Sequence, residues 1–197
     1  MRAALAHPGC DGLEFDVQGS ADGLPILLHD DTLDRVQGIA ERADQLTARE
    51  LEAAGIPSLA SVLEAAGPTP FLDIELKGPF LPPVVAAIEA ARGPMPERTV
   101  ISSFETRTLR DLAADRPRWP RWLNAEDLGP GTVAAALDLG CVGVSVEWHA
   151  IDAPAMARAR DAGLDVAAWT VRRRATARRL EGLGVVTLCV EAAALDG

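Results

Sequence analysis

Two hydrophobic patterns alternate along the chain: short apolar runs of five to seven residues, and longer segments with an apolar residue at every third or fourth position. The short runs predict β-strands and the longer segments predict helices. The predicted strands cover residues 13–18, 71–77, 99–104, 121–125, 142–147, 165–171 and 185–190. The predicted helices cover 58–66, 82–92, 106–115, 131–139, 153–162 and 172–182. Such alternation, without a low-complexity linker, predicts one α/β domain over residues 1–197 with a parallel sheet covered by helices.

The first predicted strand carries two acidic residues on one face. Side chains alternate between the faces of a strand, so Glu14 and Asp16 share one face while Leu13, Phe15 and Val17 share the other. Acidic residues are depleted in strands and are costly to bury without a partner. The pattern therefore indicates a binding role for the two carboxylates.

The second predicted strand repeats this arrangement with Asp73, Glu75 and Lys77. Carboxylates from both strands offer the hard oxygen ligands that Mg²⁺ and Ca²⁺ prefer, and a divalent cation is the predicted cofactor. Salt bridges to neighbouring basic residues are the alternative. Asp73 lies deeper than Glu75, and both a metal role and a bond to Lys77 remain open for it.

Composition excludes several classes of protein. Of the 197 residues, 48% are hydrophobic and 24% charged, which is typical of a globular domain with a sizeable core. The net charge of −10 argues against a nucleic-acid partner, because binding to duplex phosphates needs clustered positive charge. No apolar run reaches about 18 residues, so no transmembrane segment is predicted.

The cysteines indicate a reducing compartment. Cys10, Cys141 and Cys189 are odd in number and widely spaced, so we expect three small buried hydrophobic side chains without disulfides. The chain opens without a signal peptide. Both observations favour a cytoplasmic location.

Six motifs carry a resemblance to one known family. They are LEFDVQ at 13–18, ADGLPILLHD at 21–30, IPSL at 56–59, FLDIELK at 71–77, VISSF at 100–104 and WTV at 169–171. In this order and spacing, the sequence resembles the glycerophosphodiester phosphodiesterase family over nearly its whole length. The resemblance implies a TIM-type (β/α)8 barrel that hydrolyses small-molecule glycerophosphodiesters to glycerol 3-phosphate and an alcohol. It also implies a divalent cation, Mg²⁺ or Ca²⁺, held by Glu14, Asp16 and Glu75.

The resemblance also predicts an N-terminally truncated barrel. Family members open with a strand that ends in His-Arg-Gly, and this sequence begins after that point. We expect seven of the eight barrel strands, plus a hairpin arm at residues 25–30 that follows the turn at residues 21–23. An incomplete barrel leaves strand edges unpaired, so a homodimer that covers the gap is expected. A catalytically impaired binding or scaffold module and a lysophospholipase D-type enzyme are the alternatives.

His29 and Lys77 are the predicted catalytic residues. His29 matches the family's His-Asp motif, and Asp30 and Asp31 follow it and are placed to hold its ring. The resemblance implies that His29 transfers a proton during hydrolysis. Lys77 offers a positive charge to a phosphate oxygen, and its alternative role, compatible with the first, is to pair with Asp73 or Glu75.

Trp169 and Glu147 are the predicted substrate-binding residues. Trp169 lies in the WTV motif, and the resemblance implies that its ring packs against the glycerol side of the substrate. The alternative is that the ring only fills the barrel interior. Three roles are open for Glu147: binding of glycerol hydroxyls, support of the metal, or a structural salt bridge.

Five arginines lie close together near the end of the chain, and their spacing predicts an exposed helix: Arg172, Arg173, Arg174, Arg178 and Arg179. His7 and His149 are expected in a helix and in a loop, respectively.

Overall fold

Strands and helices alternate through residues 2–191, the part of the chain that the computed structural model describes. The strands are β1 (Gly12–Gly19), β2 (Pro25–Leu27), β3 (Phe71–Leu76), β4 (Thr99–Ser103), β5 (Arg121–Ala125), β6 (Gly143–Glu147), β7 (Asp165–Val171) and β8 (Thr187–Val190). β1 pairs in parallel with β3, and β4 to β8 pair in parallel in chain order. Each of these seven described strands thus pairs in parallel with a neighbour, which confirms the predicted α/β fold of the β/α-barrel type.

The helices agree with the predictions in most of the chain. They are α1 (Arg2–Leu5), α2 (Asp34–Gln37), α3 (Ala48–Ala53), α4 (Leu59–Ala66), α5 (Pro82–Arg92), α6 (Thr106–Asp115), α7 (Pro130–Asp138), α8 (Ala153–Asp161) and α9 (Arg174–Leu183). α9 begins two residues later than predicted, and β8 also begins two residues late, at Thr187. The prediction missed α2 and α3, although Thr47 and Glu50 form a capping box at the start of α3.

The chain divides after Val100 into two compact units. In the first unit, β2 runs antiparallel to β1, with Val17 opposite Leu27 and Gly19 opposite Pro25. The predicted hairpin arm is confirmed, although its strand ends at Leu27 rather than at residue 30. The arm packs into a hydrophobic cluster formed by Ile26, Leu28, Leu33, Ala43, Leu51 and Ile56. This cluster supports the segment that carries His29.

The second unit, from Ile101 onward, has strands that are buried on both faces. Along β6, Val144, Ser145 and Val146 are all buried, although their side chains alternate between the two faces of the sheet. Burial on both faces is typical of a parallel sheet that is covered by helices. The apolar core of this unit also includes Leu109, Val166 and other side chains of the strands and their covering helices.

The cysteines agree only in part with the sequence prediction. All three are free thiols, but only Cys141 is buried, and burial raises the pKa of its thiol to about 11. Cys10 and Cys189 are half-buried, so the expectation of three buried thiols was wrong for these two. Cys10 is close to the chain surface and donates from Sγ to the Gly12 carbonyl at 3.0 Å.

Among the residues that the structure describes, no helix is both long enough and apolar enough to cross a membrane.

Candidate functional site

The pairing of β1 with β3 places four acidic residues side by side. Glu14 lies opposite Asp73, and Asp16 lies opposite Glu75. Glu14, Asp16 and Glu75 each place one carboxylate oxygen within 4.8 Å of the other two. Oxygen-only donor sets of this kind suit Mg²⁺ or Ca²⁺. The three residues predicted as metal ligands are therefore brought together by strand register.

The carboxyl group of Glu14 has a strongly raised pKa. Loss of hydration first, and then repulsion from Asp16, Asp73 and Glu75, raises the pKa of the Glu14 carboxyl to about 8. Solvent still reaches Glu14, so crowding by protein atoms rather than full enclosure removes its hydration. A carboxyl group with so high a pKa lies in a site with too little positive charge. A divalent cation at this position would correct the deficit.

Lys77 follows β3 directly and points its ammonium group at the acidic residues. Its Nζ atom lies 3.1 Å from Oδ1 of Asp16 and 3.8 Å from Oε1 of Glu75. The backbone N–H of Lys77 donates to the carbonyl of Val17, which fixes the residue beside β1. Of the two partners predicted for Lys77, the structure thus places Glu75 near its ammonium group, and it adds Asp16, which was not predicted. Asp73, the other predicted partner, is buried at 3% exposure.

Glu14 lies in the first half of its strand. Site residues of β/α barrels are usually at the carboxyl ends of the strands, but Glu14 is the third of the eight residues of β1. β1 extends beyond the acidic pair because its last residues, from Val17 onward, pair with the arm strand β2. The arm therefore moves the apparent end of the strand away from the site.

His29 lies beside the acidic strand. A cavity of about 240 Å³ is lined by Glu14, Phe15, Asp16, Leu27, Leu28 and His29. The structure thus brings the predicted proton-transfer residue to the same cavity as two of the predicted metal ligands. The side chain of His29 is 64% exposed, so packing alone does not hold its ring.

One carboxylate orients the His29 ring. Nδ1 of His29 lies 2.7 Å from Oδ1 of Asp30, and Nε of Arg35 donates to the other oxygen of Asp30. The Arg35 hydrogen bond, followed by the His29 hydrogen bond, lowers the pKa of Asp30 to about 2. Asp30 is therefore an anion near neutral pH. Asp31, the second expected partner of the ring, lies instead 3.5 Å from Nη1 of Arg42.

Gln18 is a site residue that the sequence analysis missed. Its Nε2 donates to the carbonyls of Leu28 at 2.7 Å, His29 at 3.2 Å and Asp30 at 2.9 Å. Its even spacing after Glu14 and Asp16 places it on the same face of β1, and this spacing was the signal available in the sequence. Gln18 joins the acidic strand to the segment of His29.

The second unit contains both predicted substrate-binding residues. Glu147 ends β6, and its carboxylate accepts hydrogen bonds from the backbone N and from Nδ1 of His149, both at 2.7 Å. His149 lies in a short 3-10 turn, where its ring stacks on Trp148 with centroids 3.4 Å apart. Glu147 thus has a local hydrogen-bond partner in His149, and its predicted role in substrate binding stays a prediction.

Trp169 lies near the carboxyl end of β7, against Phe104. The two rings meet edge to face at a centroid distance of 5.7 Å. Phe104 is 44% exposed, and Trp169 is half-buried. Trp169 therefore offers part of an aromatic surface that solvent can reach. The indole Nε1 is buried and has no hydrogen-bond partner within residues 2–191.

The arginine run is exposed, as predicted, but its first residue has a specific partner. Arg172 donates from Nε to Glu191 at 2.6 Å and from Nη2 at 3.2 Å. The bond joins the residue after β7 to the residue after β8. His7, expected in a helix, lies just beyond the end of α1 and accepts a hydrogen bond from the backbone N of Gly9.

A family model and several known proteins match this chain. The model of the "Glycerophosphoryl diester phosphodiesterase family" matches residues 1–88 and 84–194. The chain is 34% identical over 129 residues to a "Glycerophosphodiester phosphodiesterase" from Caldanaerobacter subterraneus subsp. tengcongensis, which covers 55% of this chain and 52% of the relative. It is 29% identical over 181 residues to a "Probable glycerophosphodiester phosphodiesterase 2" from Mycobacterium tuberculosis, which covers 81% of this chain and 67% of the relative. The chain thus spans about half to two thirds of these curated relatives.

A solved structure shows the same fold. An Oleispira antarctica phosphodiesterase, determined in complex with the product sn-glycerol-3-phosphate, superposes with a TM-score of 0.77. The alignment covers 92% of this chain and 81% of that chain at 22% identity. At this identity the likeness concerns the fold.

Proposed function

The chain belongs to the glycerophosphoryl diester phosphodiesterase family, and we propose that it hydrolyses glycerophosphodiesters to glycerol 3-phosphate and an alcohol. One observation carries this proposal: three carboxylates, a lysine and a histidine lie around one short stretch of β1. Hydrolysis of a phosphodiester needs charge stabilisation and proton transfer. The residues around β1 supply groups for both tasks.

Glu14, Asp16 and Glu75 are the residues that would hold a divalent cation. Their donor set suits Mg²⁺ or Ca²⁺, and the raised pKa of Glu14 supports a need for positive charge. When bound, such a cation neutralises phosphate charge and polarises the phosphorus–oxygen bonds. The proposal covers both ions, and the activity assay below compares them.

Lys77 is proposed to stabilise the charge that develops on a non-bridging phosphate oxygen. Its ammonium group carries three N–H donors, and the two carboxylates near it hold it beside the acidic residues. The side chain is 27% exposed, so solvent reaches it. Lys77 therefore serves both as a partner of the acidic residues and as a substrate contact.

His29 is proposed to transfer one proton between the reacting oxygens. Its Nδ1 faces Asp30, so Nε2 is the ring atom that accepts or donates the proton. A neutral ring with hydrogen on Nδ1 takes a proton at Nε2 from an attacking hydroxyl or water. The protonated ring then returns a proton to a leaving alkoxide.

Trp169 and Glu147 are proposed as contacts to the substrate's glycerol or head group. For Trp169, the proposal is supported by the half-buried ring, which with Phe104 forms an aromatic surface that solvent reaches. For Glu147, the carboxylate already accepts two hydrogen bonds from His149. We therefore propose that Glu147 also fixes the loop that follows β6.

The proposed function is tested by measuring release of glycerol 3-phosphate from a glycerophosphodiester, with Mg²⁺, with Ca²⁺ and with a chelator. We expect turnover that depends on the cation. Glu75→Gln is expected to lower kcat/KM by on the order of 10² to 10³. Glu64→Gln, on the exposed side of α4, is the matched control.

Two results would contradict the proposal. Full cation-dependent activity in Glu75→Gln contradicts the ligand assignment, because one of the three proposed ligands has lost its charge. Absence of turnover in the wild-type chain, with cation binding intact, favours the binding-module alternative.

A further inference from the structure

The backbone around His29 is held from a strand that is distant in sequence. β1 and β2 stop pairing at Val17 and Leu27, so the β1–β2 ladder does not extend to residues 28–30. The side-chain amide of Gln18 binds this segment instead: its Nε2 donates to the carbonyls of Leu28 and Asp30 at 2.7 and 2.9 Å. An amide NH₂ has two donors, and these two carbonyls are its shorter contacts.

These contacts bracket the histidine. The carbonyl of His29 itself lies at 3.2 Å from the same Nε2, between the two shorter hydrogen bonds. Leu28 and Leu33 are buried in the hydrophobic cluster of the arm, which anchors the segment from its other side. Gln18 therefore fixes the segment relative to the strand that carries Glu14 and Asp16.

The ring of His29 needs a separate restraint because it is largely exposed. Asp30 supplies this restraint through its 2.7 Å contact with Nδ1, and Arg35 holds the other oxygen of the same carboxylate. The arginine and the histidine thus approach Asp30 from two sides. A carboxylate accepts hydrogen bonds only, so the proton of a neutral ring lies on Nδ1.

We propose that Gln18 is a positioning residue for His29: its amide sets the backbone on both sides of the histidine, so that Asp30, anchored by Arg35, holds the ring with Nε2 as the atom that exchanges the proton. The inference rests on the proposed function of His29 and extends it to a residue of the acidic strand. Gln18 acts through His29 and is not itself in contact with the reacting groups.

The chain contains three histidines, and their contacts predict different tautomers. The His29 and His149 rings both place Nδ1 at 2.7 Å from a carboxylate oxygen, so both are expected to carry the proton on Nδ1. Nδ1 of His7 accepts from the backbone N of Gly9, so its proton is expected on Nε2. His7 and His149 therefore serve as internal references for His29.

The test is long-range ¹H–¹⁵N correlation spectroscopy of the imidazole rings in the full chain, recorded over a range of pH so that each tautomer is assigned from the spectrum of the neutral ring. We expect wild-type His29 to carry its proton on Nδ1. Gln18→Met, which removes both donors at similar volume, is expected to shift His29 toward a mixture with the Nε2–H form. Asp30→Leu is expected to produce a larger shift. Gln45→Met, at an exposed glutamine, is the matched control.

Each outcome of the spectroscopy decides the proposal. Signals of His7 and His149 that stay in place show that a variant is folded. A wild-type His29 with its proton on Nε2 overturns the proposal, and so does a Gln18→Met spectrum identical to that of Gln45→Met. These measurements do not require turnover, so they separate failure of the positioning role from failure of the proposed reaction.

Kinetics give a second readout. With an active chain, Gln18→Met is expected to lower kcat by on the order of 100-fold while KM changes by less than about threefold. Equal kcat in Gln18→Met and Gln45→Met contradicts the proposal.

Discussion

Nζ of Lys77 lies 3.1 Å from Oδ1 of Asp16, so the cation that follows β3 bonds to an acidic residue of the neighbouring strand β1. The contact offsets part of the repulsion among the carboxylates. It also places a positive charge where a divalent cation would bind. Lys77 and a divalent cation therefore compete for the same carboxylate charge, and this competition has a measurable consequence.

Replacing Lys77 by Met should tighten cation binding while it weakens turnover. Removal of the ammonium group leaves the carboxylates with more uncompensated charge, so we expect affinity for Mg²⁺ or Ca²⁺ to rise about tenfold. Turnover should fall because the phosphate loses a stabilising charge. Isothermal titration calorimetry measures the first effect and product release the second. Lys77→Arg keeps the charge and is the control; weaker cation binding in Lys77→Met would contradict the competition.

Asp16 should be needed for stabilisation of the fold by a divalent cation. A cation that binds only the folded chain stabilises it by about 2.7 kcal/mol at a concentration of 100 times Kd. We expect thermal unfolding to show this stabilisation in the wild-type chain and in Asp11→Asn, an exposed control. Asp16→Asn should lose most of it. An equal shift in the two variants would place the cation elsewhere.

The charge state of Asp30 should depend on Arg35. The folded-state pKa of Asp30, about 2, lies below the ordinary value of 3.8. The carboxylate therefore stabilises the fold above about pH 4, and this contribution is lost as the pH falls toward 2. In Arg35→Ala the pKa of Asp30 should rise toward its ordinary value, as followed by ¹³C NMR of the carboxyl group. Arg49→Ala, at an exposed position of α3, should leave the titration of Asp30 unchanged.

The arm that carries His29 should depend on its own apolar cluster. Leu33 is fully buried between the arm strand and α3, so Leu33→Ala should lower the free energy of unfolding by about 2–5 kcal/mol. Leu24, which is 45% exposed, provides the matched control. Leu24→Ala should change stability by less than about 0.5 kcal/mol. Urea unfolding of both variants measures the difference, and similar midpoints would show that the cluster contributes little.

Much of the fold could be predicted because its signals are local. The period-2 alternation in LEFDVQ and FLDIELK predicted both acidic strands within one or two residues. The same alternation predicted that Glu14 and Asp16 share a face. Helices α4 to α8 were predicted because apolar residues recur at every third or fourth position in each of them. These patterns need no knowledge of distant residues.

The missed elements lie in the segment between the arm and α4. α2 has only four residues, and so short a helix forms only where tertiary contacts support it. The burial of Leu33 and Leu51 in the arm cluster supplies such contacts. The capping box of α3 was present in the sequence at Thr47 and Glu50, but the apolar pattern after it is too short to mark a helix by itself.

Local patterns in the sequence specify the order of the strands and helices, the faces of the acidic strands and the family resemblance, because these depend on periodicity and motif spacing. Which side chains meet across the chain depends on tertiary packing. Strand register paired Asp16 with Glu75, placed Lys77 beside both and left Asp31 with Arg42 rather than with His29. Gln18 found its acceptors ten to twelve residues away for the same reason. A hydrogen bond forms with the group that packing brings within about 3 Å, and the local pattern of hydrophobic and polar residues does not predict which group that is.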